Sequence, residues 1–362
     1  MRILVVNSGS SSLKLRVIED DDSVSQSDDL PVASGGADQD FSSILASYGP
    51  VDAVGHRIVH GGTFFSGPVL IDETVIQRLS GLADLAPLHQ PRSLAALAGV
   101  NRALPAAPAI ACFDTAFHAT LPAAATTYAV PREWTERWGL RRYGFHGLSH
   151  SYAAARGAEL MGRELEGLRL VTCHLGAGSS LAAVLEGRSV DTTMGFTPLE
   201  GLVMATRSGT VDPGMMLWLQ RIAGMPADEL AEGLEHRSGL QGLTGSNDMR
   251  EILAREDRQE PAALLALDVY SHRLRAGIAA MTAALGGIDG LIFTGGIGEN
   301  SPAVRQRAID GLGFLGLGID RDRNQNGGGD REIGAGEGPR VVVVSAREDL
   351  QIAREVRTCL AG

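Results

Sequence analysis

A strand, a polar glycine turn and a second strand occur twice in this chain, roughly half a chain apart. The first copy contains Val5-Val-Asn-Ser-Gly-Ser-Ser-Ser-Leu-Lys14. Its apolar run, Ile3 to Val6, predicts a buried strand, and Leu13 to Val17 alternates apolar and polar like a half-buried one. The second copy is Arg169-Leu-Val-Thr-Cys-His-Leu-Gly-Ala-Gly-Ser-Ser-Leu181, continued by Ala182 to Glu186. With Arg2 set on Arg169, Ile3 falls on Leu170, Asn7 on His174 and Gly9 on Gly176. One extra loop residue then puts Ser11-Ser12-Leu13 on Ser179-Ser180-Leu181. The repeat is far too long to be a solenoid period. It predicts two related domains, each offering a loop whose backbone N–H groups and hydroxyls suit a phosphate. Two such loops facing each other across a cleft would hold a nucleotide. For either copy alone, an ordinary Ser-rich hairpin remains the alternative.

Two domains also suit the length, since 362 residues give ample chain for two cores. The formal charge of −11 argues against nucleic acid and anionic membranes as partners. An anionic ligand would need local Arg and Lys to overcome that field. Cys112, Cys173 and Cys359 are widely spaced, with no Cys-x-x-Cys, which suits a reducing compartment and neither a zinc site nor a disulfide framework. The sequence shows no long apolar leader and no 18-residue apolar run, so the expected location is the cytoplasm.

Along the chain, strands alternate with helices, which gives an α/β class. Asp20 to Gly36 is acidic and Ser-rich and reads as a surface loop. Ala86-Pro-Leu-His-Gln-Pro91 reads as a rigid turn before a helix over 93–103, and Ser238 to Ser246 as a Gly/Ser loop. Ala109 to Phe113 predicts a strand ending in Asp114-Thr-Ala-Phe-His118, and Gly290 to Ser301 predicts strand, glycine turn and helix start. Asp191 to Asp212 is polar, Gly-punctuated and too long for a simple linker. Glu348 to Leu360 closes the chain as a helix.

Several familiar chemistries are excluded. There is no Gly-x4-Gly-Lys-Ser/Thr, and neither Gly176-Ala-Gly178 nor Gly296-Ile-Gly298 completes Gly-x-Gly-x-x-Gly. His56/His60 and His146/His150 have i, i+4 spacing, but both pairs lie in Gly-rich stretches and lack the following Glu of a zinc-protease helix. Arg57 and Arg207 stand in loops dense with Gly, His or Ser, where a guanidinium can grip a carboxylate or phosphate with two prongs. Asn7, Asp114 and Glu348 each follow a predicted strand, where open α/β sheets place ligands, and such oxygen donors suit Mg²⁺. Gly295-Gly-Ile-Gly-Glu-Asn300 is either a platform for adenine or ribose or a close-packed turn. Asp248-x-Arg250 either brackets a nucleotide or is an N-cap with a helix-face arginine.

The longer motifs form a recognisable set. They are Asn7-Ser-Gly-Ser-Ser-Ser-Leu-Lys14, His56-Arg-Ile-Val-His-Gly-Gly62, Phe113-Asp-Thr-Ala-Phe-His118, Arg142-Tyr-Gly-Phe-His-Gly147, His174-Leu-Gly-Ala-Gly178, Ser189 to Gly201, Thr206-Arg-Ser-Gly209 and Gly296-Ile-Gly-Glu-Asn-Ser301. In collinear order over nearly the whole chain, this set resembles the acetate kinase family. The resemblance implies a duplicated actin-like (ribonuclease H-like) ATPase fold, shared by acetate and sugar kinases, Hsp70 and actin, with two related domains around a nucleotide cleft. The expected domains are residues 1–118 plus 348–362, on the acetate and metal side, and 119–347, binding nucleotide.

Carried over by motif position, the resemblance implies a role for each matching residue. Asn7 and Glu348 would position Mg²⁺, with Mn²⁺ as an alternative. Lys14 and the stretch His174, Leu175, Gly176, Ala177 and Gly178 would contact ATP phosphates. Asp248, Met249 and Arg250, with Gly296, Ile297, Gly298, Glu299 and Asn300, would form the nucleotide pocket. Arg57 would bind the small acid, and Val59, Leu88 and Pro198 would line the pocket for its methyl group. Asp114 would be the catalytic carboxylate, while His146 and Arg207 stabilise the transferring phosphoryl group, with Arg57 and Arg207 facing one crevice. Acetate is ionised at neutral pH and needs no strong base, so Asp114 is read as an alignment or Mg²⁺-water group.

The implied reaction is reversible, Mg²⁺-dependent phosphoryl transfer from ATP to acetate, giving acetyl phosphate and ADP, in a homodimer. Rival readings are a propionate or butyrate kinase, and a non-catalytic actin-like nucleotide-binding scaffold. The sequence departs from the family pattern at Ala177 (usually Asn), Thr210 (usually Asp), Gln90 (usually Asn) and Leu148 (usually Thr), and the region after residue 20 is shorter. These departures bear on nucleotide affinity and on the choice of phosphoryl donor.

Overall fold

The structure, a computed structural model, describes residues 1–9, 12–31, 41–85 and 90–362. It divides into two units. The first holds Met1–Ala119, Phe145–Tyr152 and Arg347–Gly362, and the second Thr120–Gly144 and Ala153–Ala346. The sequence reading left residues 145–152 inside the second domain. They pack instead with the first unit, where one side-chain and one backbone contact hold them. Nε2 of His118 lies 3.0 Å from the Phe145 carbonyl oxygen, and the Gly147 N–H donates to the Asp114 carbonyl at 2.8 Å.

The first unit is built on a sheet of order β3-β2-β1-β4-β6-β5. Its strands are β1 (Ile3–Ser8), β2 (Ser12–Ile18), β3 (Val24–Pro31), β4 (Ala53–Ile58), β5 (Val69–Leu70) and β6 (Ala109–Phe113). The second sheet has order β11-β12-β10-β7-β8-β9. It contains β7 (Arg169–Leu175), β8 (Ser179–Leu185), β9 (Arg188–Thr192), β10 (Gly290–Thr294), β11 (Arg331–Glu332) and β12 (Arg340–Val343). Read outward from β1 and from β7, the two sheets match. On one side each has two antiparallel neighbours, β2 and β3 or β8 and β9. On the other side each has two parallel strands and then one short antiparallel strand. The internal repeat therefore extends from two hairpins to two whole sheets.

Residue type explains which strands lie where. The central parallel strands are the continuous apolar runs: β6 and β10 are buried at every position, as is β1 over Ile3–Val6. Parallel strands need crossovers that cover the sheet faces, so their side chains meet apolar surface on both sides. In the second unit the long helix Pro261–Leu285 supplies that cover, and its Leu267, Leu274 and Ile278 pack in one core with Val171, Leu181 and Phe293. In the first unit Leu4, Val6, Leu13, Leu15 and Val17 form one face with Leu45, Val54 and Val100.

The closing helix Glu348–Ala361 covers the opposite face of the first sheet, and a glycine lets it approach. A Cβ on Gly55 of β4 would lie 2.5 Å from the Ile352 side chain. The second unit repeats the device with the roles exchanged. Gly157, on the helix Gly147–Leu160, leaves room for Ile292 of β10, whose side chain would stand 2.4 Å from a Cβ there.

Two stretches read as loops are ordered elements. Within Asp20–Gly36, residues 24–31 form β3, antiparallel to β2, and residues 32–36 lie outside the described residues. Its polar side chains concealed it, because an edge strand is held by backbone pairing. Arg16 reinforces it by donating to the Asp28 carbonyl and the Asp29 carboxylate. Within Ser238–Ser246, Gly239–Thr244 is a short helix anchored by the fully buried Leu240, whose N–H donates to the Met204 carbonyl. Most of the expected turn at 86–91 lies outside the described residues, and Gln90 already begins the helix Gln90–Ala103. Among the described residues no helix is long and apolar enough to cross a membrane.

Candidate active site

In the first unit, four expected site residues meet at the C-terminal ends of parallel strands. Asn7 stands at the end of β1, Arg57 near the end of β4, Asp114 directly after β6, and Glu348 at the first turn of the closing helix. Arg57 donates through Nε to Asp114 Oδ1 (3.0 Å) and through Nη2 to Asp114 Oδ2 (2.7 Å). Its Nη1 donates to Asn7 Oδ1 (3.0 Å) and lies 3.5 Å from Glu348 Oε2. Asn7 Nδ2 completes the ring by donating to Glu348 Oε2 at 2.8 Å.

The cluster is largely withdrawn from water: the side chains of Arg57, Asp114 and Glu348 are 12%, 2% and 15% exposed. Asp114 and Glu348 together hold Arg57 firmly in its charged form against the cost of burial. Burial pushes Asp114 toward its neutral form, the Arg57 guanidinium opposes that, and the Glu348 charge adds to it. One positive charge thus faces two carboxylates among these four side chains. That excess of hard oxygen donors fits a divalent cation that shares its shell with phosphate oxygens.

His146 is tied to this cluster through the backbone. It takes a left-handed conformation (φ 57°), uncommon for a side-chain-bearing residue. The next residue, Gly147, lies so close to Asp114 that a Cβ would stand 2.2 Å from its carbonyl oxygen. The same stretch is gripped by His118, whose buried imidazole is lowered to about 4 by desolvation, and which therefore serves as a neutral group. Val59 is buried in this unit and Lys14 is exposed on β2. Leu88 lies outside the described residues, as do Ser10 and Ser11 of the first polar turn.

In the second unit the expected nucleotide residues surround the ends of β7 and β10. His174 and Leu175 finish β7, and the turn Gly176-Ala177-Gly178 joins it to β8, with the Gly176 N–H donating to the Gly178 carbonyl at 3.0 Å. His174 sits opposite Thr294 of β10. Gly295 follows with φ 79°, and a Cβ there would meet the Leu175 backbone at 2.8–3.1 Å. This turn therefore requires glycine. It starts the helix Gly295–Asn300, which carries Gly296, Ile297, Gly298, Glu299 and Asn300. Glu299 accepts from the Ala346 N–H, and Asn300 Nδ2 donates to the Gly296 carbonyl.

Two expected nucleotide contacts engage each other. Asp248 caps the helix Met249–Asp257 by accepting from the Arg250 N–H (2.9 Å), and it pairs with the Arg250 guanidinium (2.7 Å). Met249 between them is buried. Asp248 is thus the N-cap of this helix, with the Arg250 guanidinium held beside it. Arg207 has a different character from Arg57. Its Nη1 hydrogen bonds go to the Pro198 carbonyl (3.2 Å) and the Met204 sulfur (3.8 Å), both neutral. Desolvation lowers its affinity for the proton, with Glu235 pulling the other way.

Arg305 escaped the sequence reading. It is fully buried and donates from Nη1 to the carbonyls of Gly298 (2.7 Å) and Glu299 (2.8 Å). From Nε and Nη2 it reaches Oδ1 and the carbonyl of Asn324 at 2.8 and 2.9 Å. It thereby fixes the helix that carries the glycine platform. A signal existed: on the helix Pro302–Ile309 the buried stripe is Val304, Arg305, Ala308 and Ile309. A guanidinium within an apolar stripe must find its partners inside the protein.

Comparison with known proteins identifies the family. The sequence model of the Acetokinase family matches residues 37–354. The chain belongs to the acetokinase family. It is 50% identical to the acetate kinase of Gloeobacter violaceus, over 86% of this chain and 78% of that protein. The structure resembles the crystal structure of Porphyromonas gingivalis acetate kinase, with a TM-score of 0.90, 34% identity and 99% of each chain covered. It resembles a propionate kinase from Francisella tularensis equally well, with a TM-score of 0.90, 34% identity and 98% of each chain covered. The fold class is therefore the duplicated one of the acetokinases, and the chain is a phosphotransferase.

Proposed function

We propose that this acetokinase transfers the γ-phosphoryl group of ATP to acetate, reversibly and with Mg²⁺, in the cytoplasm and as a homodimer. The observation that carries the reading is the ring Arg57–Asp114–Asn7–Glu348, buried at the strand ends of a chain with this family membership. The acid to be phosphorylated is itself a carboxylate. Arg57 already holds one carboxylate, that of Asp114, through Nε and Nη2, which supports its gripping a second. Its Nη1 edge, facing Asn7 and Glu348, is the one that would draw in the substrate.

Two anions must be brought together in line, and phosphoryl transfer needs positioning and charge stabilisation more than covalent help. Arg57, His146 and Arg207 supply positive or donating groups for that purpose, and Lys14 with the turn Gly176–Gly178 meets the ATP phosphates. Asn7 and Glu348 would hold the metal, which when bound neutralises charge on the phosphoryl oxygens. Asp114 aligns Arg57. It need not take a proton, because the acid arrives ionised. Val59, Leu88 and Pro198 would surround the methyl group, and Asp248–Arg250 with Gly296–Asn300 the nucleoside.

A propionate reading is favoured by one finding, the equal likeness to a propionate kinase structure. An extra methylene discriminates only by about 10- to 200-fold. An acyl-hydroxamate assay with acetate, propionate and butyrate tests both readings: kcat/KM should be highest for acetate. A higher value for propionate would replace the substrate, and no turnover with any acid while ATP still binds would overturn the kinase reading.

A further inference from the structure

Of the 32 Lys and Arg residues in this chain, only one is a lysine, Lys14. It lies in β2 directly opposite Asn7 of β1. Directly opposed residues of an antiparallel pair project from the same face. The neighbours of Lys14, Leu13 and Leu15, are buried on the other face with Leu4 and Val6, while Lys14 is exposed. The sole ε-amine of the chain therefore stands on the face that carries Asn7, Arg57, Asp114 and Glu348. The other amine, the N-terminus, is engaged by Asp20 at 2.8 Å.

We propose that Lys14 is a self-acetylation site, modified by the acyl phosphate that the enzyme makes. This rests on the phosphotransferase reading above. An acyl phosphate is a mixed anhydride and reacts with amines. The neutral Nζ attacks the carbonyl carbon, a C–N amide bond forms, and the C–O bond to phosphorus breaks. The electron pair leaves with inorganic phosphate, and the amine proton passes to solvent. No oxidant or further reactant is required. The arginines do not compete, because their guanidinium groups stay protonated. Cys112 and Cys173 are buried thiols whose burial disfavours the reactive thiolate. Acetylation removes the charge of Lys14, and with it one contact to the ATP phosphates. An accumulating product would thereby slow its own synthesis, and kcat/KM for ATP should fall by about ten- to a hundredfold.

The test uses the full chain with two acetyl sources, added acetyl phosphate and ATP plus acetate plus Mg²⁺. After denaturation, a lysine-specific endoprotease cuts an unmodified chain only after Lys14. The expected result is gain of one acetyl group stable to hydroxylamine, loss of that cut, and slowing of both by ADP. The native chain should react faster than a peptide of residues 8–20. Acetylation at the peptide's rate, at the N-terminus, or at a hydroxylamine-labile thiol such as Cys359 would overturn the proposal. Time-dependent inactivation by acetyl phosphate should disappear in Lys14→Arg, which keeps the charge. Equal inactivation of both chains would overturn the regulatory role. If the kinase reading were to fail, only the ATP-plus-acetate arm would be silent, and added acetyl phosphate would still report on Lys14.

Discussion

The two units share a sheet connectivity and differ in what they place at equivalent strand ends. Where β1 ends in Asn7 and Ser8, β7 ends in His174 and Leu175. Where β4 carries Arg57, β10 ends in Thr294 and runs into Gly295-Gly296. The first unit builds its site from charged side chains that hold one another at 2.7–3.5 Å. The second builds from backbone, with glycines at the tight points and the guanidinium of Arg305 bracing the carbonyls behind them. Connectivity dictates where a site can form, because parallel strands end together on one edge. Side chains then decide whether that edge carries charged groups or bare backbone.

The largest effect should follow from breaking the first site at its centre. Replacing Arg57 by Met strands Asp114 and Glu348 without their guanidinium. Turnover should fall by about 10³- to 10⁵-fold, the range for losing an arginine from a phosphoryl-transfer site. Stability should fall by about 3–5 kcal/mol from the uncompensated buried charge. Hydroxamate kinetics and denaturant unfolding measure the two effects separately. A loss below tenfold would remove Arg57 from the chemistry.

The second site should break differently. Arg305→Met leaves the Gly298 and Glu299 carbonyls without donors and loosens the platform. KM for ATP should rise by about tenfold or more, since hydrogen bonds to charged groups contribute about 1.5–3 kcal/mol each. KM for acetate should stay within about twofold, and Arg305→Lys should recover part of the ATP effect. A fall in kcat with both KM values unchanged would contradict a positioning role.

The paired glycines sharpen the contrast. Gly55→Ala and Gly157→Ala both overpack a helix against the fourth strand of a sheet, and each should cost about 1–3 kcal/mol. Gly55→Ala displaces the helix that carries Glu348, so it should also lower activity at limiting Mg²⁺. Gly157→Ala lies on the helix that covers β10 and should leave the Mg²⁺ requirement alone. Mg²⁺ titrations of the two variants decide this, and matching curves would refute the distinction.

Much of this was legible in the sequence, for reasons that individual residues make clear. Asn7, Arg57 and Asp114 could be placed because each follows an apolar run too short for a helix, and such strands end where α/β sheets bind ligands. The duplication was legible because both hairpins keep strand period and turn composition. β3 was not, since an edge strand such as Val24–Pro31 is specified by backbone pairing and carries few apolar residues. The grip of Arg57 on Asp114 was also hidden: both were expected to face ligands, and periodicity does not say which charged groups satisfy each other. Arg305 and His118 act on carbonyl groups, which leave no mark in a pattern of side chains, so even the break that Arg305 makes in an apolar stripe does not name its partners.

The smallest expected effect concerns acid, and it belongs to the first unit. Burial lowers the imidazoles of His56, His60 and His118 to about 4 from the ordinary 6.5. Between those values the unfolded chain binds protons that the folded chain refuses, so stability falls as pH drops through that window. Glu355, on the closing helix, has the opposite sign. Burial raises it to about 7 from 4.5, and the nearby Asp114 charge adds to the shift. Between pH 4.5 and 7 the folded chain keeps a proton that the unfolded chain releases, so this contribution grows on acidification. Three groups against one predict a net loss of stability from pH 7 to pH 5. Glu355→Gln, which removes the opposing contribution, should make that loss steeper. Hydrogen exchange at the two pH values, corrected for intrinsic rates, should show protection in β4 and β6 falling relative to β7 and β10. Equal changes in both sheets would mean that the buried histidines do not set the acid response.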